Sequence, residues 1–401
     1  MTLANKKILL LNNQGLNESG GGVSMIESLV FHLSERNAVT LISEGEAESE
    51  FDGRFRNVKF MPKRYAVLPV LWRFAPLLSS FALQKPLKSL VSGYDIVIAL
   101  DCRYAFALWK YYRRSLRVYI SLSAIPLVAY HDCLTRSHRA LVFLQYCLME
   151  RAAFQRAHLS FTSSRVHLAE VRKYERIRVN PVVAHPFLAS RSAANQDAAA
   201  QAELKRALGA EGKTLIVTVS RVTRLKNIAY LVTLAEQLQR DDVLFAVVGD
   251  GADYHKIARL IQEKGLSGKI ALHGRHENPK QFYQAADIYL HPSRYESFCC
   301  TIYEAMLSGL QVIFPKNASG YVSAFEELIQ PDDALCVDFG NPANVRDALL
   351  RLIDDAPFRR QIGANALRRA AAFSTDFPPY AEEVERRIAE ALQTHQSLFS
   401  R

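Results

Sequence analysis

The stretch Asp287–Gly309, DIYLHPSRYESFCCTIYEAMLSG, predicts one strand followed by one helix. The segment DIYLHPS has the length and apolar content of a short buried strand, and RYE predicts a loop. Ser297 is expected to be the N-cap of a helix whose first turn is Phe298–Thr301, with Gly309 as its C-cap. A strand joined to a helix by a short loop is the repeating unit of a parallel sheet covered by helices.

The same alternation continues along the whole chain. In the first half, helical spacing at Gly22–Leu33 accompanies five predicted strands: KKILLLNN, AVTLIS, YDIVIAL, RVYISLS and HLSFTSS. In the second half, the predicted strands are TLIVTVS, VLFAVVG, KIALHG, DIYLHPS and LQVIFP. Helices are predicted between them at Asn227–Gln239, Tyr254–Lys264, Pro279–Ala286 and Thr301–Ser308. We predict an α/β protein of two facing Rossmann-like halves with parallel sheets, and ligands in the cleft between them.

An alanine-rich polar stretch marks the expected hinge between the halves. We expect a first domain at 1–188, a linker at 189–212 and a second domain at 213–377. Two consecutive prolines then interrupt the helical pattern, so a last helix within 378–401 is expected to pack back on the first domain. With 401 residues, 49% of them hydrophobic, the chain is long enough for two cores.

The amino-acid composition indicates what kind of binding partner the protein has and in which cell compartment it is expected. A formal net charge of +10 favours an anionic partner, and no nucleic-acid motif accompanies it, so nucleic acid is not the expected one. The six cysteines include no C-x-x-C pair, which favours reduced thiols. The N-terminus lacks a secretory pattern, and the longest apolar region, Ala66–Leu83, contains an arginine and two prolines. We therefore expect a cytoplasmic protein without a transmembrane segment.

Two carboxylates frame the start of the predicted helix at Phe298. Glu296 precedes the helix and Glu304 lies about two turns inside it, so the two are too far apart to share a proton. The backbone N–H groups of Phe298 to Thr301 lie between them and suit an anion. A nucleotide diphosphate sugar requires this pattern, with acids for the hydroxyls of ribose and sugar and positive groups for the diphosphate. The alternative is a surface helix with two scattered acids.

Three cations follow the predicted strand TLIVTVS. Arg221, Arg224 and Lys226 lie between the end of that strand and the start of the next helix. Cationic side chains at a helix N-terminus form a phosphate site, because the helix N–H groups already favour anions. The alternative is that these charges only solvate a loop.

The second half resembles glycosyltransferase family 4, which has the two-Rossmann GT-B architecture. The resemblance rests on the E-x7-E spacing of Glu296 and Glu304, on Arg221 and Lys226, and on ESGGGVSMIESLV near the start. It implies that Arg221 and Lys226 hold the diphosphate and stabilise the leaving group without a metal. It also implies that Glu304 binds the ribose hydroxyls and that Glu296 faces the donor sugar.

The resemblance assigns further residues. The amides of Phe298, Cys299, Cys300 and Thr301 would line the sugar and phosphates. Arg275 would lie beside the nucleobase. The backbone of Gly21 and Gly22, which follow the first strand and open the first helix, would approach the donor phosphate or the acceptor.

The chain departs from the family at three places. The family usually has glycine where this chain has Cys299, and Asn227 replaces the glycine that commonly follows the lysine. The first-domain histidine of the family aligns with Ser121-Leu122-Ser123, whereas His131 follows several residues later. Three alternatives stay open: a loop brings His131 to the site as a catalytic residue, the histidine role is absent, or His131 is structural.

Two basic-aromatic stretches in the first half, Pro62–Leu78 and Arg103–Arg117, suggest where the acceptor binds. Aromatic residues such as Trp72, Trp109, Tyr111 and Tyr112 alternate there with arginines and lysines. Such segments suit an anionic membrane surface, with core-facing helices that have a solvated basic side as the alternative. Peripheral attachment to the cytoplasmic face of the inner membrane is then expected.

We predict a retaining, metal-independent glycosyltransferase that moves a hexose from a nucleotide diphosphate sugar to a lipid-linked glycan acceptor. Bacterial lipopolysaccharide or surface polysaccharide synthesis is the expected process, and no cofactor is expected. The alternative is a non-catalytic homologue that binds a nucleotide sugar or scaffolds a glycan-assembly complex. A nicotinamide-dependent oxidoreductase is disfavoured, because GDGADY at Gly249 lacks the third glycine of G-x-G-x-x-G.

Overall fold

The protein forms two compact units, Met1–Ala189 with Pro378–Arg401, and Ser190–Phe377. The structure is a computed structural model. It describes residues 2–12, 21–43, 56–59, 77, 80, 93–109, 114–123, 126, 139–187, 198–276 and 279–399. None of the described helices combines the length and the hydropathy that crossing a bilayer requires.

The first unit contains a parallel sheet with the strand order β3-β2-β1-β4-β5-β6-β7. Its strands are β1 Lys7–Leu11, β2 Ala38–Ser43, β3 Arg56–Lys59, β4 Ile96–Ala99, β5 Leu116–Ser121, β6 Leu159–Thr162 and β7 Val182–Val183. Its first four described helices are α1 Gly21–Ser34, α2 Cys102–Leu108, α3 Arg139–Arg156 and α4 Arg165–Glu175. All residues of β4 are buried and apolar, as in strands with both faces covered.

The second unit repeats this plan with the order β10-β9-β8-β11-β13-β15. Its strands are β8 Thr214–Val219, β9 Val243–Val248, β10 Ile270–Gly274, β11 Ile288–Leu290, β13 Gln311–Pro315 and β15 Leu335–Val337, with β12 Tyr295–Glu296 and β14 Val322–Ser323 paired separately. Its described helices are α5 Ala198–Ala207, α6 Ala229–Leu238, α7 Tyr254–Glu263, α8 Lys280–Ala285, α9 Cys300–Leu307, α10 Pro342–Asp354 and α11 Ala356–Asp376, with a 3-10 helix at Ala324–Glu327. The predicted class of two parallel-sheet α/β halves is therefore confirmed.

The linker expected at 189–212 is interrupted by α5, which belongs to the second unit. Gln201 Nε2 donates to the Ala286 carbonyl at 2.9 Å, and Lys205 Nζ forms an ion pair with Asp287 at 2.5 Å. An alanine-rich composition predicted a hinge, but alanine is also the best helix former, and these two bonds fix the helix against the sheet.

The last helix, α12 Tyr380–Phe399, returns to the first unit. Glu385 of this helix is buried and contacts two segments of the first unit. Its Oε1 accepts a hydrogen bond from the Leu3 N–H at 2.7 Å, and its Oε2 lies 2.7 Å from Nε2 of His32 in α1. The Tyr380 N–H donates to the Phe187 carbonyl at 3.1 Å. The chain that follows the second unit therefore completes the first.

Most of the described part of the basic-aromatic stretch Arg103–Arg117 is buried, with Arg114 exposed. Arg103 is buried and forms an ion pair with Asp101 at 3.0 Å. Trp109 is 1% exposed and meets Tyr119 edge to face, with ring centroids 6.1 Å apart. The predicted contact of Trp109 with a membrane is therefore wrong. Tyr111, Tyr112 and nearly all of Pro62–Leu78 lie outside the described residues.

Buried acids occupy the core of the first unit beside Trp109. Glu150 of α3 is fully buried, and its Oε1 accepts from Ser121 Oγ at 2.6 Å and from the Tyr119 hydroxyl at 2.9 Å. Burial raises the pKa of Glu150 to about 7, although those hydroxyl groups oppose the shift. Burial and the charge of Glu150 likewise raise the pKa of the neighbouring Glu175. Ionising this pair costs stability.

In the second unit, the turn after β9 packs directly against the end of β8. A Cβ added to Gly249, which has φ +143°, would lie 1.9 Å from the Ser220 carbonyl oxygen. A Cβ on Gly251 would lie 2.5 Å from the Val222 carbonyl oxygen. The Val222 N–H donates to the Asp250 carbonyl at 2.9 Å. The GDG sequence is therefore a backbone support for the loop that carries Arg221.

Replacing Glu150 by glutamine should change the pH dependence of stability. The folded protein keeps a proton on Glu150 that the unfolded chain loses above its ordinary pKa of 4.5, so the free energy of unfolding should fall between about pH 4.5 and 7. Glu150→Gln should remove about 2–3 kcal/mol of that fall. Urea unfolding followed by tryptophan fluorescence measures it, since both tryptophans, at positions 72 and 109, belong to the first unit. The exposed Glu382→Gln is the control, and equal pH slopes in all three proteins would contradict the prediction.

Replacing Gly249 by alanine should destabilise the second unit by about 3 kcal/mol, because the new Cβ must displace backbone at a positive φ. Gly268→Ala is the matched control, since its Cβ would have no heavy atom within 4 Å. Urea unfolding of both variants by circular dichroism checks the difference. A Gly249→Ala variant as stable as the control would show that the turn can move away from β8.

Candidate functional site

The site lies where the strand order of the second sheet reverses direction. Strand β8 has β9 on one side and β11 on the other, so successive connections leave this point in opposite directions. In open parallel sheets this reversal leaves a crevice at the carboxyl ends of the two central strands, and ligands bind there. The loops after β8 and β11 are joined by the Arg294 N–H, which donates to the Leu225 carbonyl at 2.9 Å.

The loop after β8 presents Lys226 to the loop after β11. Lys226 Nζ lies 2.5 Å from Glu296 Oε1. The next residue, Asn227, has φ +57°, and its Nδ2 donates to the Pro292 carbonyl at 3.2 Å and to Tyr321 at 3.1 Å. Asparagine is one of the few residues that adopt the left-handed region readily. The departure from glycine noted at Asn227 is therefore compatible with the same backbone path.

Glu296 is the centre of the site. It belongs to the two-residue strand β12, which pairs with β14 in parallel, so the prediction of a loop at RYE is wrong for Tyr295 and Glu296. The residue is 6% exposed. Its Oε1 is bonded by Lys226 and also lies 2.7 Å from His291 Nε2, at the end of β11. One carboxylate oxygen is thus shared by two nitrogen donors.

The charges of this group favour an anion. Burial would raise the pKa of Glu296, but Lys226 and His291 reverse this and lower it to about 2. Burial would lower the pKa of His291, but Cys299 and Glu296 raise it to about 9. At pH 7 the protonated His291 and Lys226 contribute two positive charges against one negative charge on Glu296. Two cationic side chains therefore converge on one buried carboxylate.

Cys299 and Thr301 complete the network. Cys299 Sγ lies 3.4 Å from His291 Nε2 and 3.2 Å from Thr301 Oγ1. The hydroxyl of Tyr289 donates to Thr301 Oγ1 at 2.7 Å and lies 3.2 Å from His291 Nδ1. The imidazole of His291 is therefore held at both nitrogens.

Helix α9 begins later than predicted. Cys299, and not Ser297, is its N-cap, and the helix spans Cys300–Leu307. Pairing of β12 with β14 keeps the preceding residues extended, which moves the helix start toward the C-terminus. The free N–H groups of the first turn therefore start at Cys299, so the Phe298 amide lies outside it. Phe298 is buried instead against Phe325, with ring centroids 5.6 Å apart.

The remaining predicted donor residues lie around this centre without joining it. Glu304 is half-buried in α9, and its Oε2 accepts from the Tyr283 hydroxyl at 2.9 Å. Arg221, Arg224 and Arg275 are exposed. Among the described residues, no side chain forms an ion pair or a hydrogen bond with the guanidinium of Arg221. Arg221 can therefore reach a phosphate without breaking an existing side-chain bond.

The predicted residues of the first unit are only partly described. Helix α1 starts at Gly21 and Gly22 follows it, whereas His131 lies outside the described residues. Ser121, which aligns with the family's histidine, is buried and 3.3 Å from Nε2 of His167. Burial lowers the pKa of His167 to about 3, so this imidazole is neutral.

Sequence reasoning missed His291, Tyr289 and Tyr283. His291 had a signal similar to that of Arg221, because His291 directly follows the buried strand β11 and Arg221 lies two residues after the buried strand β8. The two tyrosines had no such signal, because tyrosine within an apolar strand or helix is expected in the core.

Known proteins resemble this chain, and the match to a protein family lies within its second unit. Residues 200–369 match the family described as glycosyl transferases group 1. The GDP-mannose-dependent alpha-mannosyltransferase of Mycolicibacterium smegmatis is 32% identical over 28% of this chain and 28% of its own length. The alpha-D-kanosaminyltransferase of Streptomyces kanamyceticus is 27% identical over 51% of this chain and 53% of its own length. The lipopolysaccharide core biosynthesis mannosyltransferase LpsB of Rhizobium meliloti is 28% identical over 42% of this chain and 50% of its own length.

Solved structures extend the likeness of fold to nearly the whole chain. Sucrose-phosphate synthase from Thermosynechococcus elongatus superposes with a TM-score of 0.74 at 19% identity, over 99% of this chain and 100% of that one. Anabaena HepE, solved with UDP and glucose, gives a TM-score of 0.69 at 19% identity, over 97% of this chain and 100% of that one.

This chain spans only about a quarter to half of the lengths of these curated relatives. In the second unit, the family match covers the strand ends that carry Lys226 and Glu296. The similarity to the glycosyl transferases group 1 family is therefore a property of the second unit.

Proposed function

We propose that this protein is a retaining, metal-independent glycosyltransferase that moves a hexose from a nucleotide diphosphate sugar to a glycan acceptor. The observation that carries the proposal is the buried group at the reversal of strand order, in which Lys226 and His291 both meet one carboxylate oxygen of Glu296. A diphosphate requires a positive site, and a sugar requires a fixed acid for its hydroxyls. Both are present within one hydrogen-bonded group.

In this proposal each part of the donor has a partner. Arg221 and Lys226 hold the diphosphate, together with the first free N–H groups of α9 at Cys299, Cys300 and Thr301. Glu296 accepts from a hydroxyl of the sugar. The ribose hydroxyls bind Glu304, and the nucleobase lies beside Arg275. The HepE structure that contains UDP and glucose supports a donor of this class.

The chemical step breaks the bond between the sugar carbon and the diphosphate oxygen, which gains negative charge as it leaves. Cations held in place before the reaction stabilise that charge in the transition state. Lys226 can turn toward the leaving oxygen because His291 stays bonded to Glu296 at 2.7 Å and keeps the carboxylate compensated. His291 is therefore a positioning residue, and Lys226 acts on the reacting group.

We assign the acceptor to the first unit, with Gly21 and Gly22 at its first helix and His131 as the open histidine candidate. A lipid-linked glycan in lipopolysaccharide or surface polysaccharide synthesis is the proposed acceptor, which the named role of LpsB supports. Attachment to an anionic membrane surface is supported by the net charge of +10 and by three exposed leucines on one face of α3. They are Leu141, Leu144 and Leu148.

Incubating the protein with a panel of nucleotide sugars tests the proposed function. One donor should release its nucleoside diphosphate in the presence of a lipid-linked acceptor, and the same donor should raise the unfolding temperature because it binds only the folded protein. Binding without release would support the non-catalytic homologue instead. Neither binding nor release with any member of the panel would overturn the proposal.

Replacing Lys226 by alanine should reduce kcat far more than it weakens donor binding. The expected loss of transition-state stabilisation is ~2–4 kcal/mol, on the scale of one preorganised donor to a developing oxyanion. Steady-state kinetics with the donor found above measure it. Lys256→Ala, at an exposed site on α7, is the control for lost surface charge. A kcat equal to that of the wild type would remove Lys226 from the chemical step.

A further inference from the structure

Three potential metal ligands converge in the site of the second unit. The ligand atoms of His291, Glu296 and Cys299 all lie within 4.8 Å of one another, and all three residues are buried. Tetrahedral zinc has Zn–S near 2.3 Å and Zn–N near 2.0–2.1 Å, which places the two ligand atoms about 3.5 Å apart. The observed distance from Cys299 Sγ to His291 Nε2 is 3.4 Å. This pair already has the spacing that a zinc ion requires.

The chemistry of the three ligands selects the kind of ion. A thiolate and an imidazole are soft or intermediate ligands, which suit Zn²⁺ and exclude Mg²⁺ and Ca²⁺ as preferred ions. Glu296 offers an oxygen as well. Its Oε1 is bonded to Lys226, whereas Oε2 has no hydrogen bond within the described residues. Oε2 can therefore bind a metal while Oε1 keeps its lysine.

The surroundings of the ligands already fix their orientation. The Tyr289 hydroxyl lies 3.2 Å from His291 Nδ1, which leaves Nε2 as the ligand atom. Thr301 Oγ1 lies 3.2 Å from Cys299 Sγ. Hydrogen bonds of this kind to the outer side of metal ligands hold them in geometry and raise affinity. Lys226, whose side chain is 17% exposed, marks the side from which solvent reaches the group.

We propose that His291, Glu296 and Cys299 form an inhibitory zinc site, with water in the fourth position. Coordination uses the thiolate of Cys299 and the unprotonated Nε2 of His291, and protons displaced from these atoms pass to solvent, so no other reactant is needed. The ion takes His291 from Glu296 and occupies the carboxylate that the donor sugar needs. Binding of zinc stands on the geometry alone, whereas the inhibition rests on the proposed glycosyltransferase function.

Cobalt binding tests the site without any enzymatic reaction. The full-length protein, freed of metal by a chelator, is titrated with Co²⁺, and then with Zn²⁺ to displace it. One equivalent of Co²⁺ should give the near-ultraviolet absorption of a thiolate bound to cobalt, and Zn²⁺ should abolish it. Cys299→Ser, nearly equal in size, should lose this band and bind Co²⁺ more than about 100-fold more weakly, beyond the effect of losing an outer partner.

Cys336→Ser is the matched control, because this partly exposed thiol lies outside the site and its loss should leave the band unchanged. Absence of the band in the wild-type protein, or its persistence in Cys299→Ser, would overturn the proposal. Thermal unfolding confirms that each variant is folded before titration.

Inhibition is measured as the ratio of donor turnover with and without Zn²⁺ in each protein. Zinc should lower turnover in the wild type and in Cys336→Ser but not in Cys299→Ser. If no donor is turned over, the proposed function fails while the cobalt band still decides the site. If turnover occurs and zinc binds without lowering it, the inhibitory role is wrong.

Discussion

The shared oxygen of Glu296 is the interaction on which the site depends. A carboxylate buried to this extent is stable only when cations surround it, because removing a charge from water costs several kcal/mol. Here two cations from different strand ends, Lys226 and His291, meet on one oxygen. The carboxylate therefore fixes the positions of the loops after β8 and β11, and it brings two cationic side chains to the place where a ligand would bind.

The scaffold explains why these loops meet. Strands β8 and β11 are neighbours at the reversal of strand order, although about seventy residues separate them along the chain. Because Gly249 and Gly251 have no Cβ, the backbone of the turn after β9 packs directly against the backbone of the β8 loop. This packing restricts the movement of that loop. Two contacts therefore fix the loop after β8: the ion pair between Lys226 and Glu296, and the packing of the GDG turn.

Much of the fold and of the candidate site could be predicted from the sequence. The remaining features depend on contacts between residues that are far apart in the chain. Alternating apolar runs predicted the two sheets, because strand and helix periods are local properties. The same logic placed Lys226 and Glu296 at strand ends, but their pairing depends on strand order, which no local pattern contains. The helix start was misplaced because Ser297 is a better cap by propensity than Cys299, and β12, two residues long, is too short to produce a periodic signal. Trp109 belongs to a stretch of alternating basic and aromatic residues, and this pattern does not show which of its side chains face the core.

The return of α12 to the first unit has a consequence for how the protein is made. The second unit is a continuous piece of chain, so it can fold as soon as it leaves the ribosome. The first unit is synthesised earlier, yet it lacks the carboxylate of Glu385, which bonds to Leu3 and to His32 of α1, until α12 has been made. The contacts that complete the first unit can therefore form only after the second unit has been synthesised.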